Sequence, residues 1–394
     1  MEIKCVVNRQ SIKKNKALKS AQKSARKYYQ EKIFMKSSKE AKSAKAKIRK
    51  LADLRRVDYK VFSDIEQMEK KHEAQLSKDE LIAFCRKTEL TGRSGNGFEV
   101  SRKLEAIMRT KATLIINGVE CDPGLVTDSW LYRNRQKLIE QGARILRNAL
   151  ELDKVILATK EPLRAFNEIQ EVKVADRFPM GYEKYLIQNV LGVRLEANEL
   201  PQEKGIIVMN LQTVIAIAEM TQNIMAAQYK YITVANLYTA EAKVVRVRIG
   251  DSVKAVAESC FFKRDSKSNS KCDSKCDSKC DSKRIYAGGG AFSCHEAAPG
   301  EKIQDTTGYI AIGDMPKYQY AAKCKGCKAC SRNCPAGVSV HKIVQHVEKK
   351  GMKRVEMCKS FNPTACIGCG ACTYGCMAGK DVREVIRWAK AELS

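Results

Sequence analysis

The residues best placed to do chemistry are eight cysteines near the C-terminus. Cys324, Cys327, Cys330 and Cys334 form one run, CKGCKACSRNCP; Cys366, Cys369, Cys372 and Cys376 form a second, CIGCGACTYGC. Each has the spacing C-x2-C-x2-C-x3-C, which suits a 4Fe–4S cubane. Three thiolates on one tight loop can grip three iron corners. Small neighbours such as Gly326, Ala329, Gly368, Gly370 and Ala371 let backbone N–H groups approach the sulfurs. Where two such runs occur together, the fourth cysteine of each ligates the other cluster. That assigns Cys324, Cys327, Cys330 and Cys376 to one cluster, and Cys366, Cys369, Cys372 and Cys334 to the other. Zinc is the competing reading, but it needs four ligands and leaves the triple run unexplained. Met377 follows the second run where Pro335 follows the first. Proline there only fixes a turn, so ligation is expected to survive. Cys358, between the runs, reads as a buried thiol rather than a ligand.

The segments after the runs, HKIVQHVEKK and DVREVIRWAKAEL, read as helices packing over the clusters. Upstream, LSKDELIAFCRK is an amphipathic helix leading into a Gly-rich loop. ATLIING (Ala112 to Gly118) and KVILATK (Lys154 to Lys160) read as buried strands. Leu138, Ile139, Ile145, Leu146, Ala149 and Leu150 recur at helical spacing between them, with Gly142 on the same face as a slight weakness. Strand, helix, strand in this order implies a parallel sheet. GIIVMN (Gly205 to Asn210) adds a strand, followed by a helix near Thr213 to Ala227. KVVRVRIGDSVKAVAES, IYAGGGAFS and GYIAIGDMP then suggest a small module of short strands and a helix.

The chain has 394 residues, enough for two or three domains. Hydrophobic residues at 44% exclude wholesale disorder, and 17 cysteines in so long a chain favour metal ligation in a reducing compartment over a disulfide scaffold. The opening residues lack an apolar signal core, and no run reaches the ~18 apolar residues of a membrane span; the best candidate, Gly205 to Met220, is shorter and interrupted by polar residues. The net charge is +27, and residues 1–60 carry 15 Lys and 5 Arg against 5 acids. That Lys/Ala/Ser-rich stretch reads as a solvated helix or a disordered arm. Nucleic acid is a weak candidate partner, because no base-reading motif accompanies the charge. The repeat SKCDSKCDSKCDSK would put Cys272, Cys276 and Cys280 on one face of a helix, where a soft metal is conceivable. Its strict repetition reads better as an expanded surface loop.

TGRSGNGFEVSRK (Thr91 to Lys103) is a glycine loop, a weak phosphate signal alone. LIINGVECDPGLVTD leaves a strand end through Asn117, Glu120, Asp122 and Asp128, where open α/β sheets place ligands. FPMGYEKYLIQ supplies Gly181, Glu183 and Lys184. A phosphate-bearing cofactor beside two clusters would naturally be a flavin, which takes electrons in pairs and releases them singly.

On GRSGNGF with Lys103, NGVECDP with Asp128, FPMGYEKYLI, ELPQEKGIIVMN, the VVRVRIGDSV…YAGGGAF module and both cysteine runs, the chain resembles the RnfC family of electron-transfer proteins. It is more distantly similar to the flavin-bearing, NADH-oxidising subunit of respiratory complex I. The resemblance covers about residues 78–392. After the basic arm (1–75), which stands where most of the family has a lipoyl-like β-domain, it implies an α/β protein with three segments: a Rossmann-like parallel-sheet flavin domain (76–235), an SLBB-like β-grasp module (236–318, with a low-complexity insert at 264–284) and an α-helical dicluster ferredoxin domain (319–394). It further implies two 4Fe–4S clusters, FMN, and NADH as electron source. Carried over residue by residue, Gly92, Arg93, Gly95, Gly97, Phe98 and Lys103 would cradle the phosphate and ribityl groups. Asn117, Glu120 and Asp122 would contact the flavin, and Glu183, Lys184 and Asn210 would complete the pocket. Cys121 falls where the family often has cysteine. Ser94, Glu99 and Tyr182 stand where the family usually has glycine, proline and a small residue. The implied partner is a redox protein, either a membrane Rnf-type complex or a soluble reductase, with the chain cytoplasmic or peripheral to the membrane's inner face. ECDPGL is similar to the proteins that serve anaerobic proline reductase. Two alternatives stand beside this reading: a flavin-less iron–sulfur relay that docks through its basic arm, and a cobalamin reductase.

Overall fold

The computed structural model describes residues 57–61 and 76–393, apart from 96, 108–110, 197–198, 262–283, 317 and 354. Residues 1–56 and the Cys272/Cys276/Cys280 repeat therefore lie outside the described residues. The chain divides into two compact units, one ending at Met315 and the other running from Pro316 to Ser394.

In chain order the strands of the larger unit are β1 (Val57–Val61), β2 (Thr113–Gly118), β3 (Lys154–Thr159), β4 (Gln170–Lys173), β5 (Ile206–Asn210), β6 (Tyr229–Asn236), β7 (Glu241–Arg248), β8 (Ile285–Gly288), β9 (His295–Glu296) and β10 (Tyr309–Ile312). Its helices are α1 (Lys78–Lys87), α2 (Val100–Glu105), α3 (Thr127–Asn134), α4 (Gln136–Ala149), α5 (Glu183–Leu191), α6 (Leu211–Gln222) and α7 (Val253–Phe261). A capping box starts α1: Ser77 Oγ accepts from the Glu80 N–H, and Glu80 accepts from the Ser77 N–H.

Four strands form a wholly parallel sheet in the order β4-β3-β2-β5. Alternation splits its side chains between two cores. Leu114, Ile116, Leu157 and Met209 face α4 and α6, whereas Ile115, Ala158, Ile206 and Val208 face Leu186 and Ile187 of α5. Every residue of α6 from Leu211 to Met220 is buried, as expected of a helix apolar on most sides. Gly142 is what lets α4 lie against it: a Cβ there would stand 2.2 Å from the Val214 carbonyl oxygen. The glycine that weakens the helix pattern in sequence is thus the point of closest helix contact.

The other six strands make a mixed sheet, ordered β1-β7-β6-β10-β8-β9. One face (Tyr231, Val244, Tyr309) joins the core shared with α6; the opposite face (Ile232, Val245, Val247, Ile310) packs on α7. Strand β1 comes from the basic stretch expected to be helical or solvated. It pairs in parallel with β7, and Tyr59 stacks on Trp130 at 4.7 Å.

The smaller unit contains the helices α8 (Ala329–Arg332), α9 (Val340–Lys350), α10 (Ala371–Tyr374) and α11 (Arg383–Leu393). Ile343 and Val344 of α9 and Val385 and Ile386 of α11 pack around Cys330 and Cys358, with Cys324, Cys334, Cys366 and Cys372 against them. Cys358 is fully buried there. Among the described residues, no helix is long and apolar enough to cross a membrane.

Candidate functional site

Strand β2 is followed by β3 on one side, and the chain later crosses to place β5 on the other. The carboxyl ends of β2 and β5 are therefore a topological switch point, where parallel sheets leave a crevice for ligands. Their last paired residues are Asn117 and Asn210. The Asn210 amide donates to Asp128 Oδ2 at 2.9 Å and leans towards the Asn117 carbonyl at 3.4 Å, while its own oxygen caps α6 by accepting from the Gln212 N–H. Asn117 donates to the Gly181 carbonyl at 2.8 Å and accepts from the Val119 N–H. Gly181 can carry no side chain here, since its Cβ would lie 2.0 Å from the Val119 carbonyl oxygen.

Lys103 enters from α2. Its ammonium donates to Glu183 Oε1 at 3.0 Å and to the Val208 carbonyl at 2.7 Å. The structure thus brings together Lys103, Asn117, Glu183 and Asn210 around the two strand ends. Glu120 lies beside them, buried. Its carboxylate accepts from the N–H groups of Asp128 and Ser129 and so satisfies the start of α3. Burial, reinforced by the Glu120 charge, raises the pKa of Asp128. Burial opposes the charge of Lys160, yet Glu120 and Asp176 hold its ammonium above the ordinary range; it donates to the Glu120 carbonyl at 3.0 Å. Sequence reasoning passed over Lys160, whose only signal is its place directly after strand β3.

The glycine loop is a narrow turn. Gly92 N–H donates to the Phe98 carbonyl at 2.7 Å, and Gly95 and Gly97 take φ of +92° and +64°, a region glycine enters freely. Arg93 does not face the crevice. Its guanidinium is buried, donating to Asp305 Oδ1 at 2.9 Å and to the Ala227 carbonyl, so it fastens the loop to the mixed sheet. Thr213 joins in by accepting from the Arg93 N–H. Phe98 lies on the surface, and Lys184 turns to the Glu196 carbonyl. Ser94 and Glu99 are both exposed, and Arg102 takes up the Glu99 charge at 2.6 Å. Neither adds bulk or bare charge to the interior of the loop. Tyr182 packs edge-on against Phe178, which in turn meets Phe292 in the turn between β8 and β9. Asp122 lies under Gly290, where a Cβ would stand 2.6 Å from Asp122 Oδ2, and burial pushes its pKa up to about 7.

These residues fit a flavin mononucleotide. A lysine and left-handed glycines suit a phosphate, while paired amides and carboxyls at the strand ends suit the polar edge of the ring.

In the smaller unit, the Gly326 and Gly368 N–H groups point at the sulfurs of Cys324 and Cys366, each at 3.4 Å, and the Lys380 N–H at that of Cys376 at 3.3 Å. Burial pushes the Cys330 thiol up to about 12, and its cysteine neighbours in that effect are Cys376 and Cys324. Burial likewise raises Cys334, whose neighbour is Cys366, and Cys372, which feels Cys369, Cys366, Cys330 and Cys334. Cys376 thus lies near Cys330 and Cys334 near Cys366, the neighbours that the crossed arrangement expects. Among the described residues, no three His, Cys, Asp or Glu groups close around a single ion. Thiolates that are costly to form alone and already solvated by backbone N–H groups fit cluster iron, which supplies the missing positive charge.

Residues 85–219 match the Nuo51 FMN-binding domain, and residues 323–380 match the 4Fe–4S dicluster domain. A relative from the ion-translocating oxidoreductase complex of Haemophilus influenzae (strain PittEE) is 23% identical over 295 residues, covering 71% of this chain and 43% of that protein. Another, from the proton-translocating ferredoxin:NAD(+) oxidoreductase complex of Clostridium ljungdahlii, is 27% identical over 197 residues, 47% of this chain and 43% of that protein. The chain thus spans under half the length of these curated relatives. In fold it is similar to a chain of an NAD+-reducing NiFe hydrogenase in the H2-reduced state, with a TM-score of 0.52, 16% identity, and coverage of 82% of this chain and 64% of that one. With a Nuo51-type FMN-binding domain ahead of a two-cluster 4Fe–4S domain, the chain is similar to the C subunits of these ion-translocating oxidoreductase complexes.

Proposed function

We propose that this protein transfers electrons between a reduced nicotinamide and a redox partner, through FMN and two 4Fe–4S clusters. One observation supports the reading: a single chain carries both a Nuo51-type FMN-binding domain with a switch-point crevice and a 4Fe–4S dicluster domain holding two runs of four cysteines. Bound FMN supplies the exchange between hydride chemistry and one-electron chemistry. The chain's own residues would do the holding. Gly92, Gly95 and Gly97 shape the loop, Lys103 brings positive charge, and Asn117 and Asn210 orient the ring edge. Glu183 keeps Lys103 in place, Asp122 lines the approach from the β2 end, and Glu120 supports it by holding the start of α3.

The partner in this reading is a membrane ion-translocating complex of the kind named for the Haemophilus and Clostridium relatives. The chain would bind peripherally at the cytoplasmic face in an anaerobic metabolism. A soluble acceptor such as proline reductase is the second partner, favoured only by the ECDPGL sequence. The mixed sheet with α7 would serve as an SLBB-type module, bracing the glycine loop through Arg93 and Asp305.

The test is iron, sulfide and flavin content of protein purified without oxygen, followed by its spectrum after NADH is added. About eight iron atoms with one flavin, bleached by NADH, are expected. Eight iron atoms with no flavin and no response would reduce the protein to a one-electron relay. Zinc in place of iron would overturn the reading altogether.

A further inference from the structure

The two halves of the smaller unit repeat one pattern at an offset of 42 residues, which sets Cys324 against Cys366, Cys330 against Cys372 and Cys334 against Cys376. The backbone keeps the repeat. Gly326 and Gly368 both take left-handed φ, +66° and +71°, and turn their N–H groups to the sulfurs of Cys324 and Cys366. Val338 and Lys380, each four residues past the last cysteine of its run, give their N–H groups to Cys334 and Cys376. One pair of counterparts breaks the repeat in charge. Glu348, near the end of α9, accepts from the Cys324 N–H at 2.9 Å. Lys390, near the end of α11, donates to the Cys366 carbonyl at 2.7 Å. Each reaches back 24 residues to the first cysteine of its own run, one with an anion and the other with a cation.

Lys390 is ordinary as a helix residue, since the C-terminal end of a helix favours a cation. Glu348 is not: a carboxylate in the last turn of α9 meets the negative end of the helix dipole. Its place there is matched by a second departure. Lys380 stands where the other half has Val338, yet its side chain is only 8% exposed. The Lys380 ammonium donates to the carbonyls of Tyr320 and Ala322 at 2.7 and 2.8 Å and lies 3.2 Å from Glu348 Oε1. A shielded cation thus fastens Glu348 to its position on the Cys324 amide.

Building on the electron-transfer reading above, we propose that Glu348 and Lys390 set the two clusters at different reduction potentials, with the Cys324 cluster the weaker electron acceptor and the Cys366 cluster the stronger. Reduction adds negative charge to a cluster. An anion on the Cys324 amide opposes that charge and lowers the potential, while a cation on the Cys366 carbonyl stabilises it and raises the potential. Lys380 offsets part of the Glu348 effect. The exposed Lys325 and Lys328 act in the same sense as Lys380, but charges in solvent are screened by salt. An electron passing from the Cys324 cluster to the Cys366 cluster therefore runs downhill: the first is oxidised by one electron, the second is reduced by one, and no bond or proton is exchanged. The Cys366 cluster is where a singly reduced protein keeps its electron.

The test uses the full chain with its clusters, purified without oxygen and titrated from oxidised to reduced with EPR spin counting. The parent should reduce in two one-electron steps, the first electron favouring the Cys366 cluster by about tenfold or more, which is about 59 mV. Glu348→Gln should raise the lower step and leave the upper. Lys390→Gln should lower the upper step and leave the lower, and the two together should merge the steps. Lys380→Met should push the lower step further down. It and Glu348→Gln break the same ion pair, so a merely structural role would move the step the same way in both. Iron content reports intact clusters, and Lys380→Met keeps the test standing if Glu348→Gln loses iron. Glu356→Gln and Lys350→Gln remove exposed charges from the same unit and should move neither step. The splitting should persist at about 1 M salt.

A single step in the parent, or a lower step that Glu348→Gln and Lys380→Met shift in one direction, would overturn the inference and leave electron transfer standing. So would controls that move the steps as far as the variants do, or a splitting that vanishes in salt, which would assign it to surface charge. Clusters that take up no electron at all would instead sink the electron-transfer reading, and the inference with it.

Discussion

Lys103 and Glu183 are 80 residues apart in sequence and 3.0 Å apart in space, Nζ to Oε1, with the Val208 carbonyl as the lysine's second acceptor. The pair ties the glycine-loop side of the crevice to the start of α5. Because the lysine is partly shielded, removing it takes away a phosphate partner and leaves Glu183 facing an anion. Lys103→Ala should weaken FMN binding at least tenfold, about 1.4 kcal/mol, with iron content unchanged. Flavin released on denaturation, measured by fluorescence against protein and iron, checks this. Full flavin occupancy in the variant would remove Lys103 from the site.

The crossed ligation expected of Cys334 and Cys376 makes a prediction that an uncrossed one reverses. Cys376→Ala should damage the cluster whose other ligands are Cys324, Cys327 and Cys330, and Cys334→Ala the cluster of the second run. Each variant should keep about four of eight iron atoms. Combining Cys376→Ala with Cys324→Ala should cost no further cluster, whereas Cys376→Ala with Cys366→Ala should empty both. Iron analysis with EPR spin counting distinguishes the two patterns.

At Gly142 the α4–α6 contact leaves no room for a methyl group, and the nearest atom is backbone oxygen rather than a yielding side chain. Overpacking costs about 1–3 kcal/mol and alanine regains about 1 kcal/mol of helix propensity. A carbonyl 2.2 Å away puts the cost at the upper end. Gly142→Ala should therefore destabilise the larger unit by about 2 kcal/mol, read from urea unfolding followed by Trp130 fluorescence. An unchanged midpoint would mean that the helices can part cheaply.

Burial raises the Asp122 carboxyl to about 7. An unfolded aspartate titrates near 3.9. Between these values the folded chain holds a proton that the unfolded chain has released, so stability should fall as pH rises through about 4 to 7. The slope from this group is at most about 1.4 kcal/mol per pH unit. Asp122→Asn should flatten the flavin-free protein's stability over that window and leave the variant more stable than the parent at pH 8. A parallel pH profile for the two proteins would place the titrating group elsewhere.

The parts of this molecule legible in sequence are those whose cause is local. Eight cysteines at fixed spacing declare themselves because a tight loop must satisfy a cubane within a dozen residues. The strands ATLIING, KVILATK and GIIVMN are bounded by turn residues and lie within a residue of β2, β3 and β5. Long-range causes stayed hidden. Arg93 looks like a phosphate ligand from its loop, but its partner Asp305 is 212 residues away. Glu120 sits at a strand end as a flavin residue would, and its carboxylate goes to the start of α3. Val57–Val61 is five residues in a lysine-rich stretch, too short to announce that β7 waits nearly 200 residues on.

Asn117 and Asn210 are separated by 92 residues that include helices α3 to α5 and strands β3 and β4. A contact of that sequence separation is paid for in loop entropy and forms late. The crevice therefore has no local precursor: no fragment of the α/β unit that ends before β5 contains it. Flavin uptake during refolding should lag behind helix formation and coincide with closure of the β2–β5 pair. The cofactor would then act as a natural clock for the last step of sheet assembly.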